Sequence, residues 1–280
     1  MTRRSLAALA AIGFLGACQT VSSTPDPFKA TAMEEAGVAD LLLESGDPGA
    51  AVRFFSERLA REPDDPAHRR SLARAHARAG ALAEAASGYR ALVASGHASD
   101  DDLIALGFVE VRLDRWAAAR ETAGALPPDL DTPRAHMLAA LLADNARDWA
   151  AADAAYARAA QLSNNAPDVH NNWGVSLMAR GAYAEAARRF EQALAADPGW
   201  FVVTNNLALS RALAGDFGPP RGGLSEAEKA IILHNQARVA ESRGDAAMAR
   251  RLYAAAVEVH PRHYPAAATR LAALDRMAAP

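Results

Sequence analysis

Paired amides are the side chains of this sequence best placed to do specific chemistry. Asn171-Asn172, Asn205-Asn206 and His234-Asn235 recur in closely similar local text. A side-chain amide both donates and accepts hydrogen bonds. Amides stacked at a fixed period can hold the backbone of an extended peptide without reading its side chains, or can tie neighbouring helices together. Other candidates are weaker. His260 and His263 flank Pro261 and read as structural rather than as a metal pair. The run Gly218 to Gly223 lacks the Lys-Ser/Thr ending of a phosphate loop, and no H-E-x-x-H zinc motif occurs. The one cysteine, Cys18, excludes an intrachain disulfide framework. No metal, no cofactor and no catalytic constellation is expected, so a binding protein is the expected class and not an enzyme.

The amides lie on elements that repeat. In residues 167–200, Gly174, Ala186 and Ala193 are small where two helices would touch. Trp173, Tyr183 and Phe190 are large beside them, Gly181 interrupts the stretch and Pro198 ends it. The same text recurs at 34 residues. Unit 32–65 carries Gly46, Ala51, Phe55 and Pro63, and unit 66–99 carries Gly80, Ala85 and Tyr89. Unit 100–132 carries Gly107, Trp116 and Ala119 and closes early at Pro127-Pro128. Unit 133–166 carries Trp149, Ala152, Tyr156 and Ala159. After unit 167–200, a sixth begins at Phe201, and a seventh, 230–263, carries Gly244, Ala249, Tyr253, Ala256 and Pro261. Residues 264–280 read as a capping helix. This pattern resembles the tetratricopeptide (TPR) family, a helix–turn–helix of 34 residues whose Gly, Ala, Phe and Pro positions fall on Gly174, Ala186, Phe190 and Pro198. The resemblance implies an all-α solenoid of antiparallel helix pairs, wound into a right-handed superhelix.

The sixth unit breaks the pattern. Phe217-Gly218-Pro219-Pro220-Arg221-Gly222-Gly223 cannot be helical. Ser225 and Glu228 then form a capping-box pattern, which predicts a long helix over 226–243. The second helix of this unit is therefore missing. The loop is either the scar of a deletion or a gap that a partner fills. Elsewhere, Asp100 to Asp102 read as a helix start rather than a cation site, because the helix dipole favours negative charge there. Arg69-Arg70 and Arg188-Arg189 read as solvated helix faces.

Composition is that of an ordinary globular chain: 280 residues, 51% hydrophobic, 22% charged, net charge -3. Without a basic excess, a nucleic-acid partner gains no support. At the N-terminus, Arg3-Arg4 precede a short apolar run from Leu6 to Leu15 and then Leu15-Gly16-Ala17-Cys18, the layout of a secretory signal peptide. The ending L-G-A-C resembles the bacterial lipobox. That resemblance implies removal of residues 1–17 and acylation of Cys18 at its sulfur and new amine. An uncleaved anchor or a buried free thiol is the alternative. Gln19 in place of Asp favours, by the same resemblance, the outer membrane with the body in the periplasm. Residues 18–31, rich in Ser, Thr and Pro, read as a flexible tether.

Two further resemblances bear on function. The sixth-position amides Asn172, Asn206 and Asn235 resemble the asparagine ladder of O-GlcNAc transferase, which implies a peptide-binding groove lined by Asn171, Asn172, Asn205, Asn206, His234 and Asn235. The layout of lipobox, array and N-N-W-G-V-S-L text resembles the lipoproteins of tight-adherence (Flp) pilus assembly. That family implies an adaptor or pilotin-like factor whose partner is an outer-membrane secretin or another pilus component. The runners-up are an adaptor for cell-wall hydrolases and a type IV pilotin.

Overall fold

The structure, a computed structural model, describes residues 47–278 except 220, 221, 261 and 263. The leader, Cys18, the tether and the first helix of the first unit lie outside the described residues, as do Pro261 and His263.

Among the described residues there are thirteen helices and no strand. They are α1 (Pro48–Arg61), α2 (Pro66–Ala79), α3 (Leu82–Ala94), α4 (Asp100–Arg112), α5 (Trp116–Gly124), α6 (Pro133–Ala146) and α7 (Trp149–Leu162). There follow α8 (Pro167–Ala179), α9 (Tyr183–Ala196), α10 (Phe201–Leu213), α11 (Glu226–Ser242), α12 (Ala246–Val259) and α13 (Pro265–Ala278). Each packs chiefly on its neighbours in sequence, and α4 with α6 and α8 with α10 also meet across a repeat. That nearest-neighbour pattern defines a solenoid.

The starts follow from local chemistry. Pro occupies the first turn of α1, α2, α6 and α8, where its missing N–H costs nothing. Ser99 and Asp102 form a reciprocal capping box on α4, and Ser225 and Glu228 form one on α11. The acidic triplet is thus a helix start, and its third member does more. Asp102 is 3% exposed and accepts from Arg70 Nε at 2.8 Å, which ties α4 to α2.

The core is a column of small-against-large contacts. A Cβ on Gly174 would sit 2.6 Å from the Phe190 ring, so only glycine lets α8 and α9 approach this closely. The aromatic at the equivalent place in other units is equally buried: Phe55, Tyr89, Tyr156 and Tyr253 are all 2% exposed or less. One apolar cluster runs continuously from Met137 to Leu207, and another from Ala237 to Leu274. Between them lies the break. Among the described residues no helix lies between α10 and α11, and α11 packs directly on α10. The expected long helix is there, and the second helix of the sixth unit is absent.

Acids at the helix contacts, Glu110 buried and Asp144 and Glu241 partly so, lock helix pairs. Asp144 accepts from Tyr156 Oη at 2.8 Å and from Ser176 Oγ at 2.6 Å, so one carboxylate joins α6, α7 and α8. Glu110 does the same for α4, α5 and α3 through Thr122 Oγ1 and Arg90 Nη2. Glu241 takes Tyr253 Oη at 3.0 Å and pairs with Arg270 of the capping helix α13.

Candidate peptide-binding groove

The six predicted groove residues sit on α8, α10 and α11, each the first helix of its unit, and all are half-buried. Their amides form a staircase. Asn206 Nδ2 donates to Asn171 Oδ1 at 3.2 Å, and Asn235 Nδ2 donates to Asn205 Oδ1 at 2.8 Å. Asn172 Nδ2 lies 3.8 Å from Met137 Sδ on α6, the residue that holds the position of Asn171 one unit earlier. In each step the sixth-position amide donates to the fifth-position side chain of the preceding unit. Both meanings of a stacked amide are therefore present. One half of each group ties first helices together. The Oδ1 atoms of Asn172, Asn206 and Asn235 have no hydrogen-bond partner among the described residues and are not sealed from solvent. The same holds for Nδ2 of Asn171 and Asn205. Acceptors and donors thus alternate along the row.

His234 ends the row differently. Its ring packs 5.4 Å from both Tyr253 and Tyr264, and its Nδ1 is buried without a partner. It braces α11 against α12 and the last helix instead of presenting a polar edge. His170, one position before Asn171, is 3% exposed with Nδ1 also unpartnered. Both imidazoles titrate below the usual histidine range, chiefly because burial disfavours the cation, with Arg189 near His170 and Arg238 near His234 adding to it. A lowered folded-state pKa means that the unfolded chain binds the proton first. Stability is then complete above about pH 6.5 and declines as pH falls below it. The midpoint of urea unfolding is expected to fall between pH 7 and pH 5, and His170→Gln should flatten part of that dependence.

A second polar assembly escaped the sequence reading. Trp173 Nε1 donates to Asp153 Oδ1 at 2.7 Å, Arg180 Nη2 forks onto the same carboxylate at 2.7 and 2.8 Å, and the Arg189 guanidinium lies 3.3 Å from the Trp173 ring centroid. Arg189 is therefore not on a solvated face, although Arg188 is. Adjacent residues on a helix point to different sides. The Arg69-Arg70 pair divides in the same manner: Arg70 pairs with buried Asp102, while Arg69 donates to the Pro63 carbonyl. In the family W-x2-L-G pattern Trp173 falls on the Leu position, and nothing local marks its partners 7 to 20 residues away.

No helix among the described residues is long and apolar enough to cross a membrane. Residues 167–200 match the family pattern described as Tetratricopeptide repeat. Those are the residues of α8, α9 and their turns, the pair with the Gly174–Phe190 contact. The fold is a TPR-like α-solenoid, and one of its helix pairs matches the family pattern. Two solved structures share the fold with this chain. The chain is similar to a chain of the APC/C hetero-tetramer Cut9-Hcn1 at 13% identity and TM-score 0.61, over 84% of this chain and 48% of that one. It is also similar to a tetratricopeptide repeat protein from Parabacteroides merdae at 14% identity and TM-score 0.55, over 88% and 99%. A Pseudomonas aeruginosa structure, pilF, has 19% identity and TM-score 0.44 over 63% of this chain and 84% of that one. The chain thus spans about half the length of the first of these. No curated protein matches the sequence. The amide row lies on the first helices of three successive units.

Proposed function

We propose that this TPR solenoid is a protein–protein adaptor of the bacterial envelope, held by acylated Cys18 in the outer membrane with its array in the periplasm. The observation that carries the adaptor reading is the amide row. Oδ1 of Asn172, Asn206 and Asn235 is left to accept peptide N–H groups, and Nδ2 of Asn171 and Asn205 is left to donate to carbonyls. Main-chain recognition of that kind holds an extended partner segment with little demand on its sequence. The lipobox text around Cys18 supports the anchor. Three acyl chains hold a protein far more firmly than one, at about 0.8 kcal/mol per buried CH2.

Within that class, the reading is an assembly factor, pilotin-like, for a tight-adherence pilus system, with an outer-membrane secretin or pilus component as partner. Its support is the sequence resemblance to the lipoprotein TadD of such systems. The test is crosslinking from envelope membranes with the lipidated chain. Wild type should recover the secretin. Replacing Asn172, Asn206 and Asn235 together by Ala should cut recovery at least about tenfold, a loss of roughly 1.4 kcal/mol or more, while the helical circular dichroism stays intact. Undiminished recovery by the triple variant would sink the groove reading. Recovery of cell-wall hydrolases instead would move the adaptor to another system. Cys18→Ala is expected to shift the protein from the membrane to the soluble envelope fraction.

A further inference from the structure

We propose that the notch left by the missing helix of the sixth unit is a receptor for a tyrosine side chain presented by a partner protein. In the other units whose second helix carries an aromatic at this place, the ring is buried: Phe55, Tyr89, Tyr156, Phe190 and Tyr253 are 2% exposed or less, and Phe190 lies against the small residue Gly174 of its first helix. Ala208, 34 residues beyond Gly174, holds the small position on α10, and no second helix follows it. In place of the ring there is a cavity of about 290 Å³. Thr204, Leu207 and Ala208 of α10 form one wall, and Ile232 and Gln236 of α11 the other. Arg211, paired to Glu191 at 2.6 Å, stands at the rim.

Gln236 decides which ring fits. Its side chain is 2% exposed, Nε2 donates to the Gly218 carbonyl at 2.9 Å, and Oε1 is buried with no partner among the described residues. A buried acceptor without a donor is a costly thing to keep. Elsewhere in the array the filler supplies that donor. Tyr156 Oη donates to Asp144 and Tyr253 Oη to Glu241, each an acceptor on the first helix. The equivalent α10 position is Ala212, and the acceptor here comes instead from Gln236 on α11, so the notch holds a hollow and an acceptor and lacks the ring and the hydroxyl. Leu, Met or Phe would fill the space and leave Oε1 unmet, and an acidic group would set acceptor against acceptor. Residues 1–46 contain no tyrosine, so the N-terminal segment does not supply this filler.

The test is titration of the full chain with N-acetyl-tyrosinamide and N-acetyl-phenylalaninamide, followed by NMR. Shifts are expected at Leu207, Ile232 and Gln236, with the tyrosine derivative favoured about fivefold, the worth of one modest hydrogen bond. Gln236→Leu should erase the preference. Ala208→Phe, which occupies the notch from α10, should abolish binding of both, and Ala208→Met serves the same purpose if the larger ring perturbs folding. Equal affinity for the two probes, no binding of either, or binding that survives both Ala208 variants would overturn the proposal. Self-association in sedimentation that disappears in Ala208→Phe would assign the notch to a second copy of the chain and overturn the partner. None of these substitutions touches the amide row, so failure here leaves the groove reading standing.

Discussion

Phe190→Ala is expected to lower the free energy of unfolding by about 3–5 kcal/mol, the range for a fully buried aromatic. Phe190 has no exposed surface and lies inside the apolar cluster that runs from Met137 to Leu207. The cavity would be hard to close, because Gly174 faces it with no side chain to swing in. Two readouts distinguish this from an ordinary core loss. First, a nearest-neighbour array weakened at its middle loses cooperativity. Urea unfolding followed by circular dichroism should broaden or split, since the cluster on the C-terminal side is already separate. Second, Gly174→Ala should destabilise the wild type, because its Cβ would lie 2.6 Å from Phe190 Cε1, yet cost much less in the Phe190→Ala background. A double-mutant cycle measures that coupling directly. Additive effects would contradict the packing described.

Arg90→Ala is expected to cost about 2–3 kcal/mol, and more than removal of its partner's charge by Glu110→Gln. The asymmetry comes from burial. Glu110 is 1% exposed, whereas almost half of the Arg90 side chain is open to water. Loss of the arginine strands a buried carboxylate whose remaining donor is Thr122 Oγ1, at 2.8 Å. Loss of the carboxylate's charge leaves a guanidinium that water can solvate, so the penalty is smaller. Thermal melts of the two variants give the order. A reversed order, or a cost for Arg90→Ala within about 0.5 kcal/mol of zero, would show that this tie is an ordinary surface pair.

Much of the architecture was legible because its determinants are local. Glycine at the turns, proline in first turns and the two capping boxes act within four residues, and they set the helix boundaries. The missing helix was legible for the same reason, since a run with three glycines and two prolines forbids helix whatever surrounds it. The first unit closes at α1 as its Ala51 and Phe55 suggest, both being buried. What stayed hidden depends on register between helices. Asp102 looked like one of three equivalent acids, and only its apposition to Arg70, 32 residues earlier, makes it internal. Arg189 looked like Arg188 until the Trp173 ring was placed beneath it. The amide pairs were visible, but not that Asn206 and Asn235 each spend their donor on the preceding unit. These offsets, 16 to 35 residues, join different helices and leave no mark within either one.

The break at the sixth unit also has a mechanical meaning. In a solenoid every pull along the axis passes from one helix pair to the next through shared apolar contact. Here the apolar clusters ending at Leu207 and beginning at Ala237 are joined by α10 against α11, the Arg243 bond to the Leu213 carbonyl and the Gln236 bond to the Gly218 carbonyl. A ring seated beside Ala208 would add shared apolar contact across this joint and stiffen it.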